Sequence, residues 1–188
     1  MIHKEDFDTS GDTLPRPFLA SYWLLPGRVL AGEHPARHGP ERSGEQLAER
    51  LQALRRAGIT HFIDLSSEHD RLPLYEPVQA LHLPHPIVDF GIPTQAGMRA
   101  TLHSIARALD DGGGVYIHCK AGVGRTGTVA GCLLVEHGFA PGEALALLQR
   151  KWQVAQQREH SPLTPETDAQ RAFIADWPAA LRSASGRP

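Results

Sequence analysis

The run His118-Cys119-Lys120-Ala121-Gly122-Val123-Gly124-Arg125-Thr126-Gly127-Thr128 constrains this chain more than any other segment. It joins one apolar stretch, Val115-Tyr116-Ile117, to another from Val129 to Glu136. The first has strand character and the second helix character, which predicts a loop leaving a buried strand and opening a helix. Such a loop turns backbone N–H groups inward and cups an anion at the positive end of the helix. A thiol at the base of that cup, Cys119, feels the same field, which favours the thiolate.

The residue types have separable reasons. Sulfur is the most nucleophilic side-chain atom near neutral pH. Gly122 and Gly124 let the loop fold back on itself. Arg125, six positions after Cys119, offers a planar fork of donors that grips two oxygens of a tetrahedral dianion, a geometry lysine does not copy. Lys120, Ala121, Gly122, Val123, Gly124 and Thr126 would line the cup, with the Thr126 hydroxyl a candidate donor to the sulfur. If Cys119 points into the cup, His118 points away from it and orders the loop through hydrogen bonds.

Gly122-Val123-Gly124-Arg125-Thr126-Gly127 also satisfies G-x-G-x-x-G, the dinucleotide fingerprint. That fingerprint calls for a second parallel strand ending in an acidic residue about 20 residues on. Pro141-Gly142-Glu143 instead opens another helix, and the fingerprint leaves Cys119 and Arg125 unexplained.

The rest of the chain alternates strand and helix signals. Tyr22–Leu25 and Arg28–Ala31 read as strands joined by a Pro26-Gly27 turn. Ser43-Gly44-Glu45-Gln46 matches a capping box, opening a helix with Leu47, Leu51 and Leu54 on one face and Gly58 at its end. Ile59–Leu65 reads as a buried strand, and Leu81–Val88 as an edge or irregular one because it holds Pro84 and Pro86. Helices are predicted from Thr94 to Asp110, from the loop to His137, from Pro141 to Val154 and from Thr167 to Trp177. The expected fold is α/β and three-layered, a mostly parallel central sheet with helices on both faces. Its loop lies at the carboxyl end of a central strand.

The central run resembles the signature loop, HC-x5-R-[ST], of the cysteine-dependent protein tyrosine phosphatase superfamily, and within it the small dual-specificity and atypical phosphatases. Pro86-Ile87-Val88-Asp89-Phe90-Gly91-Ile92-Pro93-Thr94 is similar to that family's movable general-acid loop. The segment from Ser161 to Phe173 resembles a late loop that positions water in some members. The resemblance runs from about Trp23 to Trp177 and implies a tyrosine phosphatase-like fold. It implies a phosphoester hydrolase in which Cys119 forms a phosphocysteine and Arg125 with the loop amides holds the phosphoryl oxygens. Asp89 would protonate the leaving oxygen and then activate water, and neither metal nor cofactor is needed. Asp64, Glu68 and Asp70 are competing carboxylates. Asp89 is favoured by its place before Phe90-Gly91 and Pro93, and Asp64 is expected to organise a turn.

Gln170 would orient the hydrolytic water, or else is a solvent-facing helix residue. Gln156 and Gln157 are further polar candidates, and Glu33 and His34 either border the pocket or form an ordinary loop. Several relatives carry a backup cysteine after the strand corresponding to Ile59–Leu65. Ser66 and Ser67 stand there in this chain, and Cys132 reads as core.

The implied partner is a phosphorylated protein, with phosphotyrosine leading and dual specificity open. Some phosphoinositide phosphatases of the superfamily carry lysines at the loop positions of Lys120 and Val123. This chain has only the first, which leaves a phosphoinositide or inositol phosphate as the alternative. A non-catalytic phosphate-binding module is a third reading, set against the presence of Cys119, Arg125 and Asp89 together.

The 188 residues suit one domain. It is expected as a loose lead-in over 1–20, a single catalytic domain over 21–180 and a frayed tail over 181–188. Nineteen basic and 21 acidic residues leave a net charge of −2, with no general attraction to nucleic acid or membrane. The apolar runs fall short of the roughly 18 residues that span a bilayer. Met1 to Asp6 has no apolar signal core, and cytoplasmic placement is the expectation. Two cysteines make no disulfide framework. The 11 histidines are scattered, without H-E-x-x-H or C-x-x-C, so no metal site is indicated.

Overall fold

The computed structural model describes residues 2–7, 14–37, 44–72, 75–76 and 79–178. Ser43 of the expected capping box and the tail from 181 to 188 lie outside the described residues. The strands are β1 (Ser21–Leu25), β2 (Val29–Glu33), β3 (Ile59–Asp64), β4 (Leu81–Pro84) and β5 (Gly114–Cys119), in spatial order β1-β2-β5-β3-β4. Only the β1–β2 pair is antiparallel. The helices are α1 (Gly44–Arg56), α2 (Gln95–Asp110), α3 (Gly124–Glu136), α4 (Pro141–Trp152) and α5 (Asp168–Ala175). This is the mostly parallel, layered α/β arrangement that the alternating pattern predicts.

Alternation along the strands sorts side chains between two cores. Val115, Ile117 and Cys119 of β5 join Val29 and Ala31 of β2 and Ile63 of β3 in the larger core. Helices α2, α3 and α4 add to it Met98, Ile105, Leu133 and Leu148 among others. Tyr116 faces the opposite way, into a smaller core with Leu30, Phe62, and Leu51 and Leu54 of α1. The period of two therefore fixes the site: Cys119 lies on the α3 side and its neighbour His118 on the other.

Helix α3 is buried at every residue from Gly124 to Val135. An all-round apolar sequence such as Val129 to Val135 fits a helix enclosed on all sides. It packs against β5, α4 and α5, so its first turn, which carries Arg125, is held within the buried interior.

Strand β4 stops at Pro84, earlier than the predicted span to Val88. Pro84 and Pro86 have no N–H to give a ladder. The chain continues beside β3 through His85 N–H to Asp64 O at 2.7 Å and Ile87 N–H to Leu65 O at 3.1 Å. That guided, irregular path delivers Asp89 to the carboxyl end of the sheet. Among the described residues, no helix is long and apolar enough to cross a membrane.

Candidate active site

Between the end of β5 at Cys119 and the start of α3 at Gly124, carbonyl after carbonyl is engaged from outside. Lys120 O accepts from His34 N–H at 3.2 Å. Ala121 O accepts from Gln157 Nε2 at 3.1 Å, and Val123 O from the Thr164 hydroxyl at 2.8 Å. In a trans peptide the carbonyl and the following N–H point oppositely. Holding these carbonyls outward therefore turns the N–H groups of Ala121, Gly122 and Gly124 inward. Gly122 N–H donates to Cys119 Sγ at 3.3 Å. Gly122 sits at φ +75°, and a Cβ there would lie 2.3 Å from the carbonyl carbon of Gly32. Only glycine fits that turn.

Arg125 is 2% exposed, and its guanidinium is aimed by Asp70, Asp89 and two backbone carbonyls, Ile87 O and, at 3.5 Å, Leu65 O. Asp70 takes it from both oxygens, with Nη1–Oδ2 at 2.7 Å and Nη2–Oδ1 at 2.9 Å. Ile87 O accepts from Nη1 at 3.1 Å, and Asp89 Oδ1 lies 2.8 Å from Nη2. Asp70 is itself fixed in a short turn, accepting from Ser67 N–H at 2.7 Å. Burial would raise the Asp70 pKa, but the Arg125 and Ser67 hydrogen bonds prevail and bring it down to about 2. Sequence reasoning counts Asp70 only among possible acids, whereas the structure makes it the clamp on Arg125. The spacing Ser67-x-x-Asp70 is the available signal, since it closes a turn on the carboxylate.

Cys119, Lys120, Ala121, Gly124, Arg125 and Asp89 share one cleft of about 260 Å³ with Arg37, Phe90 and Glu166. The sequence-predicted trio is thus brought together: sulfur, guanidinium and carboxylate face a common space. The Asp89 side chain is 42% exposed. It sits in a turn closed by Gly91 N–H to Val88 O at 2.9 Å, with Phe90 at φ +58°. Arg37 and Glu166 have no motif to announce them, and only the fold brings them to the rim. Thr126 is buried, and its hydroxyl has no hydrogen-bond partner among the described residues, so the expected contact with the sulfur is not made.

His118 points away from the cleft, as the alternation predicts. Its Nε2 lies 2.5 Å from the Tyr75 hydroxyl, and its ring stacks on Tyr116. Burial pushes its pKa down to about 3 against the pull of Asp64, so the ring is neutral. Asp64 organises the turn after β3, accepting from Ser66 N–H at 2.9 Å and pairing with His82 at 2.9 Å. Donor atoms of His34, Asp64 and His118 lie within 4.8 Å of one another. Each of the three is bonded to a different neighbour, His118 to Tyr75 through Nε2. His34 Nδ1 accepts from Ala36 N–H at 3.1 Å, which leaves the proton on its other nitrogen, and Asp64 is taken by Ser66 and His82.

Gln170 is 0% exposed, which excludes the solvent-facing alternative. Its Oε1 accepts from Thr167 N–H at 3.1 Å and its Nε2 donates to Gly91 O at 3.1 Å. Both ends of the amide are occupied, so in this arrangement it ties the Asp89 loop to α5 instead of facing the cleft. Gln157 braces the signature loop from behind, and Glu33 pairs with Arg50 at 2.8 Å. Cys132 is buried in the larger core, where burial and then Glu136 push its thiol up.

Comparison with known proteins agrees with this geometry. Residues 20–174 match the family model PTP-SAK, described as Swiss Army Knife protein, DSP-PTPase phosphatase domain. The dual specificity protein phosphatase CDC14AB of Danio rerio is 30% identical over 138 residues, 68% of this chain and 21% of that protein. The tyrosine-protein phosphatase cdc-14 of Caenorhabditis elegans is 26% identical over 131 residues, 68% of this chain and 18% of that protein. The chain therefore spans about a fifth of the length of each of these two relatives. The structure of Tk-PTP in its active form is 26% identical with a TM-score of 0.61, covering 82% of this chain and 93% of that one. Kinase associated phosphatase, solved with its catalytic cysteine replaced by serine, shares the fold at 21% identity and a TM-score of 0.63, covering 78% and 83%. The strand order, the loop between β5 and α3, and a family match over most of the chain lead to one assignment: this chain belongs to the PTP-SAK family of dual-specificity, tyrosine phosphatase-type domains.

Proposed function

We propose that this protein hydrolyses phosphoesters on phosphorylated protein, phosphotyrosine first, through a phosphocysteine at Cys119. The observation that carries the reading is the shared cleft of Cys119, Arg125 and Asp89 beneath a loop whose amides face inward. Cys119 Sγ attacks phosphorus, and the phosphorus–oxygen bond to the leaving group breaks. Asp89 gives that oxygen its proton. Arg125 and the loop N–H groups hold the equatorial oxygens, a preorganised field that costs little reorganisation during reaction. Water then attacks the phosphocysteine, sulfur leaves as thiolate, and a carboxylate takes the water's proton. The positive field comes from the chain itself, without a metal.

In the structure Asp89 occupies part of Arg125 at 2.8 Å, where a phosphoryl oxygen would bind. Substrate binding therefore exchanges one anion for another and releases Asp89 to face the leaving oxygen. Arg37 and Lys120 add two cations to the rim, which keeps a soluble phosphoinositide as the second substrate to test.

The test is phosphate release, without metal, from a phosphotyrosine peptide, a phosphothreonine peptide and a soluble phosphoinositide, with Cys119→Ser as the blank. Cys119-dependent release led by the tyrosine peptide supports the reading. Release led by the inositide transfers the site to lipid or inositol phosphates. No release that depends on Cys119 overturns it.

A further inference from the structure

A second carboxylate faces the same cleft. Glu166 lines it together with Asp89, Cys119 and Arg125. Its backbone is held from both sides. Thr164, two residues earlier, is buried and donates its hydroxyl to Val123 O of the signature loop at 2.8 Å. Pro165 O accepts from Arg171 at 2.6 Å, and Thr167 caps α5 by accepting from Gln170 N–H at 3.2 Å. Pro165 and Glu166 thus join Thr164, which is bonded to the loop, to Thr167, the cap of α5, and the place of Glu166 at the cleft is set by the fold.

Chemistry separates the two carboxylates. Asp89 already pairs with Arg125 at 2.8 Å. The Glu166 pKa is raised, first by burial and then by the Asp89 charge, with Arg125 opposing. Two carboxylates at one cleft, one paired with the arginine and one beside it, can divide acid and base work. Gln170, which the family resemblance offers for positioning water, is buried with its amide taken by Thr167 and Gly91. Glu166, unlike Gln170, lines the cleft that also holds Cys119.

We infer that Glu166 contacts the attacking water when the phosphocysteine is hydrolysed. This rests on the proposed reaction at Cys119. The water oxygen bonds to phosphorus, the phosphorus–sulfur bond breaks with its electron pair returning to Cys119, and the water's proton passes to the carboxylate pair. Glu166 plays no part in the first step, where the leaving oxygen takes its proton from Asp89.

The experiment compares wild type with Glu166→Gln and Glu166→Ala on an aryl phosphate with a good leaving group. Steady-state kinetics are combined with rapid acid quench, reading phosphate bound to Cys119 by mass spectrometry. In both variants kcat is expected to fall by about tenfold or more, within the range for a positioned acid–base group. The ratio kcat/KM, which reports the steps up to phosphocysteine, is expected to stay within about twofold, and phosphocysteine should accumulate. Unchanged kcat overturns the inference, as does a fall in kcat and kcat/KM together without trapped phosphocysteine. If wild type itself forms no phosphocysteine, the proposed reaction fails before the role of Glu166 is reached, so the two failures are told apart.

Discussion

Asp70 grips Arg125 with both carboxylate oxygens, at 2.7 and 2.9 Å, in a pair excluded from solvent. The guanidinium is buried and charged, and Asp70 both neutralises it and fixes the plane in which its remaining donor surface meets the cleft. A fork aimed in advance loses less conformational freedom on binding an anion than a free arginine would.

Removing this clamp should therefore affect both folding and binding. Asp70→Ala leaves a buried guanidinium short of its main counter-ion, and breaking such a pair typically costs about 3–5 kcal/mol. Chemical denaturation is expected to show a loss of that order. Vanadate binding, read by calorimetry, should weaken in the fraction that remains folded. A variant with wild-type stability would mean that Asp70 is not the clamp.

The same pair sets an acid limit. The folded pKa of Asp70, about 2, lies below the ordinary aspartate value of 3.8. Its contribution is fully present above pH 4 and is lost as pH falls toward 2. Thermal melts of wild type and Asp70→Asn should differ most above pH 4 and converge as pH approaches 2. A gap that stays constant with pH would show that ionisation of Asp70 is not the source of the difference.

Asp89 has two predicted effects of opposite sign. Asp89→Ala frees the Arg125 Nη2 that it holds at 2.8 Å, so phosphate or vanadate should bind more tightly than to wild type. Turnover should fall about 10²-fold or more on substrates with poor leaving groups, and less on nitrophenyl phosphate, whose leaving group needs little protonation. Equal losses on both substrates would remove Asp89 from the role of acid.

Two glycines of the loop should respond differently to alanine. At Gly122 the new Cβ would meet the backbone of Gly32 and Glu33 at 2.3–2.6 Å with φ at +75°. At Gly124 it would meet the Gln170 side-chain amide at 2.8–2.9 Å, a group able to shift. Gly122→Ala is expected to lose about 2 kcal/mol or more and nearly all activity. Gly124→Ala should lose less stability, and should loosen the Gly91–Gln170 bond that ties the Asp89 loop to α5. Comparing the two by denaturation and turnover checks the order.

What was legible in the sequence follows a physical divide. The loop between β5 and α3 was readable because contiguous residues must supply the turn, the amides and the fork, so their spacing is fixed. Alternation placed Cys119 and His118 on opposite faces for the same local reason. The clamp role of Asp70 and the places of Arg37 and Glu166 at the cleft were not assigned because these residues come from separate segments, and only the fold brings them to Arg125 or to the cleft. Gln170 shows the converse. Its motif context suggested a polar role facing water, yet the close approach of α5 to the loop buries it and uses both ends of its amide. The early end of β4 at Pro84 follows from missing N–H donors, while its place at the sheet edge is the one that Pro84 and Pro86 predict.

The central claim is a covalent phosphocysteine at Cys119. Its most direct test is rapid acid quench of the protein with a phosphotyrosine peptide, without metal, followed by peptide mass spectrometry of the segment around Cys119. The account predicts a phosphate mass increment on Cys119 in wild type and none in Cys119→Ser, which should still bind vanadate or phosphate. Phosphate release with no increment on Cys119, or release that persists in Cys119→Ser, would contradict it.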